Sequence, residues 1–102
     1  MEQAKNLILT VLTIKGFCPV YRPGDQIFIT NGYILEGPKS GRVCLHSLAS
    51  IMPYYVALSR GVRPVKLGLA KKDTGSAYIQ CLDPCDLTGG GTVTFQVEVS
   101  SE

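Results

Sequence analysis

A long central stretch of the chain lacks acidic residues. Between Gly37 and Lys72 there is no Asp or Glu, whereas Lys39, Arg42, Arg60, Arg63, Lys66, Lys71 and Lys72 all fall there. The net charge is only +2, so the asymmetry is local. Its ordinary reading is a solvated face balanced in space by Asp25, Asp83 or Asp86. Its functional reading is a basic window that meets an anionic small molecule or an acidic protein partner. Nucleic acid fits less well, because a dedicated binder carries a strongly basic domain and a recognisable module, and the chain has neither.

Other absences narrow the chemistry. There is a single histidine, His46, and no spacing implies a partner for it in acid–base work. No G-x-S-x-G, phosphate loop, dinucleotide fingerprint or H-E-x-x-H occurs. The first apolar run, residues 7–14, is interrupted by threonines and lacks a small-residue cleavage site, so it reads neither as a signal peptide nor as a membrane span. A cytoplasmic location is expected, where thiols stay reduced. The four cysteines, Cys18, Cys44, Cys81 and Cys85, then read as free thiols, metal ligands or core fillers.

No C-x-x-C knuckle is present, although zinc and iron–sulfur sites usually draw two thiolates from one tight turn. The nearest pair is Cys81 and Cys85, three residues apart in a turn-prone setting. Cys18, Cys44 and Cys81 each sit at the end of an expected element, where three loops could converge. A Zn or Fe–S site on Cys18, Cys44, Cys81 and Cys85 is therefore one reading; buried cysteines packing as small hydrophobes is the other. Cys44 also falls at the expected start of a helix, near Arg42, where the unpaired N–H groups and the dipole favour a thiolate or an anion. With His46 and Tyr54 nearby on the same helical stretch, Arg42, Cys44, His46 and Tyr54 form a candidate ligand-binding set. A cysteine-dependent enzyme with Cys44 as nucleophile is a further alternative, but no base accompanies it.

What the chain does contain is strand-rich. Residues 7–14 (LILTVLTI) look apolar on both faces, as in a central, covered strand. Residues 16–24 form a corner punctuated by Gly16, Pro19, Pro23 and Gly24. Residues 26–30 make a second strand, and Asn31-Gly32 turns it into a short return at 33–35. From 43 to 60 the period changes. Leu45, Leu48, Ala49, Met52 and Val56 recur at helical spacing, Gly61 caps the end, and Pro53 either kinks the helix or divides it. Residues 65–69 and 77–82 are expected strands, and 83–91 a loop. In residues 92–99 (TVTFQVEV), Val93, Phe95, Val97 and Val99 alternate with polar residues and call for a helix or a second sheet over them, and the strong helix is 43–60. The sum, over residues 1–102 as one domain, is a small α+β fold: a mostly antiparallel sheet or partial barrel with one Pro-kinked helix packed on it. A chain this short and apolar also suggests a homo-oligomer.

Read in order, Lys15-Gly16-Phe17-Cys18-Pro19, Gly24-Asp25, Cys44-Leu45, Pro53-Tyr54-Tyr55-Val56-Ala57-Leu58 through Gly61, Cys81-Leu82-Asp83-Pro84 and Val93-Thr94-Phe95-Gln96-Val97 resemble a small conserved-hypothetical family found largely in anaerobic bacteria and archaea. The resemblance implies no assigned activity. It singles out Cys18, Cys44 and Cys81 and leaves Cys85 outside the pattern. Family members often carry a Gly-His pair between Cys-Pro and Gly-Asp. This chain has Val20-Tyr21-Arg22-Pro23 there, which weakens a histidine-assisted site, and its Gly89–Gly91 run looks like a local insertion.

Overall fold

A computed structural model describes residues 4–38 and 41–100. Among them, five strands form one open antiparallel sheet in the order β3-β2-β1-β5-β4. The strands are β1 (Asn6–Gly16), β2 (Gln26–Thr30), β3 (Ile34–Glu36), β4 (Ser76–Gln80) and β5 (Gly91–Ser100). The helices are α1 (Leu45–Ile51), α2 (Tyr55–Ser59) and a single turn, α3 (Cys85–Thr88). The α+β class and the antiparallel sheet agree with the sequence.

β1 is central, as expected, but it is not covered on both faces. Leu7, Leu9 and Val11 are buried, Ile8 and Thr10 only half-buried. The pairing with β5 slips between Val11 and Thr13, leaving Leu12 as an extra, exposed residue. Such a bulge reverses the alternation beyond it. Ile14 therefore returns to the core side and pairs with Val93. The two-faced look of LILTVLTI comes from that phase change.

One sheet face carries the core. Ile79, Phe95 and Val11 lie across it in register, and so do Ala77, Val97, Leu9 and Ile27. All seven are buried. Val99 lies on the same alternation but past the last pairing with β4 and is exposed. Asn31 and Gly32 both take left-handed φ, 55° and 82°, and close the turn into β3.

The helical layer departs from the sequence reading in two ways. Pro53 does not kink one helix. α1 ends at Ile51, residues 52–54 form a turn, and α2 begins at Tyr55. A proline there has no N–H to give to Ala49 and its ring would crowd that carbonyl, so the helix divides. The second departure concerns facing. Leu45, Met52 and Val56, read as the inward stripe, are 77, 54 and 52% exposed, and Ala49 is exposed with them. Ser47, Ser50, Ile51, Leu58 and Ser59 point inward instead. Each buried serine hydroxyl donates to a carbonyl of its own helical segment: Ser47 to Cys44, Ser50 to His46, Ser59 to Val56. The polar atoms are thus satisfied without leaving the backbone, and small side chains let the helices lie close to the sheet.

Two local expectations change as well. Residues 65–69 are not a strand; Pro64–Leu67 is a 3₁₀ turn capped by Gly68 at φ 75°. The chain nevertheless covers the β4 edge, because the Tyr78 N–H donates to the Leu69 carbonyl (2.9 Å). The loop expected at 83–91 contains α3.

Candidate functional site

The corner after β1 is tied down by its own turn chemistry. The Cys18 Sγ accepts the N–H groups of Val20 and Tyr21, both at 3.4 Å. The Asp25 carboxylate accepts the Arg22 N–H (2.9 Å). Gly24 N–H donates to the Val11 carbonyl, and Val11 N–H to the Asp25 carbonyl, each at 2.8 Å. Asp25 is accordingly a turn residue, and the corner folds back onto the strand at the bulge.

Tyr21 enters the core from this corner. It is 3% exposed and packs edge-on against Phe95, with ring centroids 5.6 Å apart. Its hydroxyl oxygen accepts the Cys44 N–H (2.8 Å) and lies 2.8 Å from the Ser47 Oγ. Ser47 in turn donates to the Cys44 carbonyl (2.7 Å). Each hydroxyl has one proton. Since the Ser47 proton goes to Cys44, the Tyr21 proton must go to Ser47. The three residues close a ring in which every donor has an acceptor. Burial pushes the Tyr21 phenol above its usual range, against the opposing pull of the Ser47 and Cys44 hydrogen bonds. The tyrosine stays neutral and clamps the corner to the start of α1.

Cys44 occupies the position expected of it, the residue capping α1 (φ −80°, ψ 132°), but makes no side-chain cap bond. Its N–H, which helix geometry leaves without an intrahelical partner, is used by Tyr21. α1 is a seven-residue helix, and His46 stands exposed on its second residue. Tyr54 is half-buried against the core at the entry to α2.

The corner and the segment before α1 enclose a cleft of about 330 Å³, lined by Phe17, Cys18, Pro19, Val20, Tyr21, Arg22 and Arg42. Of the expected ligand set, Arg42 lines it; Cys44 stands behind its Tyr21 wall; His46 and Tyr54 are not among its lining residues. Phe17, 72% exposed, forms an apolar side. Two arginines therefore line one small cleft, brought from 20 positions apart in the chain.

The other cysteines belong to different surroundings. Cys81 is buried at the end of β4, where its Sγ accepts the Val93 N–H (3.2 Å) and donates to the Gly91 carbonyl (3.5 Å). It continues the strand pairing with a side chain. Cys85 opens α3, gives its N–H to the Thr92 hydroxyl, and makes a long thiol contact (4.0 Å) with Asp86. All four thiols are unbridged. Among the described residues, no three of His, Cys, Asp and Glu are grouped as a metal ion would require. The four-cysteine metal set has no geometric counterpart in the structure.

Gly89 is accounted for by its conformation, and Gly90 and Gly91 by packing. Gly89 caps α3 at φ 76°. A β-carbon on Gly90 would run into the Asp83 carboxylate, and one on Gly91 would lie 2.5 Å from the Phe17 carbonyl carbon. Asp83 is also bonded by the Thr88 hydroxyl. The run seats the 83–91 loop against the Cys18 corner.

The basic window is offset by an acid other than those expected. Arg63 pairs with Asp73 (2.6 Å), and Asp86 pairs with Lys15 (2.7 Å) from outside the window. Asp25 and Asp83 are engaged within their own loops. Lys39 lies outside the described residues.

The residues missed from the sequence are Phe17, Tyr21, Arg22 and Ser47. Their meeting depends on the corner folding back across the end of the sheet, 26 residues ahead of Ser47 in the case of Tyr21. The one available signal was a tyrosine placed among turn-formers, where an aromatic needs a reason to be. No family profile, curated protein or solved structure matches the chain.

Proposed function

We propose that this is a small binding or accessory protein whose Cys18 corner takes the anionic group of a small molecule, a carboxylate or a phosphate. The observation that carries this reading is the pairing of Arg22 and Arg42 in one cleft with Cys18 and Phe17. Guanidinium groups recognise such anions through paired N–H donors, and Phe17 offers a surface for an attached ring or chain. A volume of about 330 Å³ lies at the small end of the range of ligand sites.

Two larger clefts suit an anion less well. One, about 510 Å³, lies where α3 meets the uncovered sheet face, and its lining sets a single cation, Lys15, against the Asp86 carboxylate. The other, about 560 Å³ beside Pro23, Phe28 and Pro38, has no cation in its lining and contains Asp25.

The unbridged cysteines support a reducing, cytoplasmic setting for this role. The ordered motifs that resemble the conserved-hypothetical family include Cys18 and are consistent with a site at this corner.

Amide NMR titration with inorganic phosphate and with benzoate tests the proposal. Shifts concentrated at Phe17–Arg22 and Arg42, and abolished in Arg22→Ala/Arg42→Ala, are expected. Shifts scattered over the surface, or unchanged in the double variant, would overturn it.

A further inference from the structure

The cleft under α3 suits an uncharged ligand better than an ion. Its floor is the solvent side of the sheet, where Thr94 stands between the buried Val93 and Phe95. Thr94 pairs with Thr13 of β1 and with Gln80 of β4, so these three side chains form one row across the strands. Lys15 pairs with Thr92 in the next row on the same side. Asp86 and Leu87 of α3 complete the lining together with Pro84 and Cys85.

Elsewhere on that side of the sheet, polar side chains bond one another. Gln26 donates to Thr10 (3.2 Å), Gln96 to Ser76 (3.1 Å) and Thr30 to Glu36 (3.2 Å). Thr92, at the edge of the cleft, donates to the Asp83 carbonyl and accepts the Cys85 N–H. The side chains of Thr13, Thr94 and Gln80 have no hydrogen-bond partner among the described residues, and all three line the cleft. The sheet thus leaves its polar groups unused where α3 makes the surface concave.

We propose that this cleft binds a neutral sugar, whose adjacent hydroxyls engage the Thr13–Thr94–Gln80 row and the Lys15–Asp86 pair. The charges of the lining cancel, because Lys15 and Asp86 bond each other at 2.7 Å. An ionic ligand has to compete with that bond. A hydroxyl does not, since the ammonium keeps further donors and the carboxylate further acceptors beyond the bond they share. Threonine hydroxyls and a glutamine amide both donate and accept, as sugar hydroxyls do. Facing side chains in such a row stand about 5 Å apart. A ring bearing several hydroxyls meets the row at more than one point, whereas a single amide meets it at one. Pro84 and Leu87, the latter 87% exposed, offer an apolar rim to the C–H face of the ring. The volume, about 510 Å³, is ordinary for a ligand site.

Amide NMR titration of the intact protein with glucose, galactose and maltose tests this, with N-acetylglycinamide as a neutral amide control. At least one sugar should shift Thr13, Lys15, Gln80, Thr94 and the α3 amides, and the shifts should persist as salt rises. Thr94→Val/Gln80→Leu removes polar atoms on the solvent side of the sheet and should weaken that sugar at least tenfold. A circular dichroism melt checks that this variant stays folded. If it does not, Thr13→Val, at an exposed position, should still weaken binding at least threefold. The proposal is overturned if none of the three sugars shifts these residues, or if the variants bind as the parent does. Equal shifts from N-acetylglycinamide, or inorganic phosphate binding in this cleft, would overturn it too. Arg22→Ala/Arg42→Ala should leave the sugar shifts in place, so the anion site at the Cys18 corner stands or falls separately.

Discussion

On the sheet side of the core the buried residues include Leu7, Leu9, Val11, Ile27, Phe95 and Val97; on the helical side Ser47, Ser50 and Ser59 stand beside Ile51 and Leu58. The sheet contributes volume and apolar area, and the helices contribute proximity. A serine that bonds its own helix behaves toward the core almost as alanine does, so the helical layer can rest on large strand side chains without leaving a gap. The difference also explains why Leu45, Ala49, Met52 and Val56 are spare: the sheet, with Ile51 and Leu58, already fills the core.

The sharpest way to break this division is to exchange sizes between its halves. Phe95→Ala should lower unfolding free energy by about 3–5 kcal/mol, through lost burial plus the cavity left behind. Urea denaturation gives the number. Ser59→Leu, an apolar gain on the helical side, should still destabilise by about 1–3 kcal/mol, because a close contact has no room for it. If Ser59→Leu stabilised the protein, the proximity account would be wrong.

A smaller effect separates the clamp from the core around it. Tyr21→Phe keeps the ring against Phe95 but leaves the Cys44 N–H and the Ser47 hydroxyl short of a partner, and about 1–3 kcal/mol should be lost. The raised phenol also gives a pH signature. Its contribution is complete below pH 10, where folded and unfolded chains both hold the proton. It is lost as pH climbs from there through the folded value, because the unfolded chain releases its proton first. Stability measured against pH on the alkaline side should therefore fall more steeply for the parent than for Tyr21→Phe. Parallel curves would mean that burial does not hold the phenol neutral.

The smallest effect is expected at the stripe. Leu45→Ser and Met52→Ser should each shift stability by no more than about 0.5 kcal/mol, since neither side chain is in the core. A loss comparable to that of Phe95→Ala would show the stripe to be packed in solution.

Much of the sheet was legible in the residues, because period-two alternation in 92–99 and the Asn31-Gly32 turn are local signals with local causes. The helical layer was legible in extent but not in facing. Helical spacing identifies an apolar stripe, and only the third dimension decides whether it meets the sheet or the solvent. Pro53 could be read as a break or a kink, and the structure takes the break. At the candidate site, Arg42 and Cys18 were visible as residue types. Arg22, Tyr21 and Ser47 were not, since their meeting is set by the fold of the corner and not by any spacing along the chain. The cysteines misled for a related reason: their sequence order suggested convergence, whereas Cys81 is spent on Val93 and Gly91 and Cys18 on its own turn.

The bulge at Leu12 has an architectural meaning beyond its exposure. Without that residue the strand would read Leu-Ile-Leu-Thr-Val-Thr-Ile, an unbroken alternation with every inward position apolar. Leu12 is in effect a spacer inserted into a complete strand. It leaves the contents of the core unchanged, and the bulge absorbs it: Thr13 pairs with Thr94 directly after Val11 pairs with Phe95, so Lys15 and Gly16 face the same partners they would face without it. The extra residue is accommodated on the outer surface, and the corner that carries the cleft keeps its place against β5.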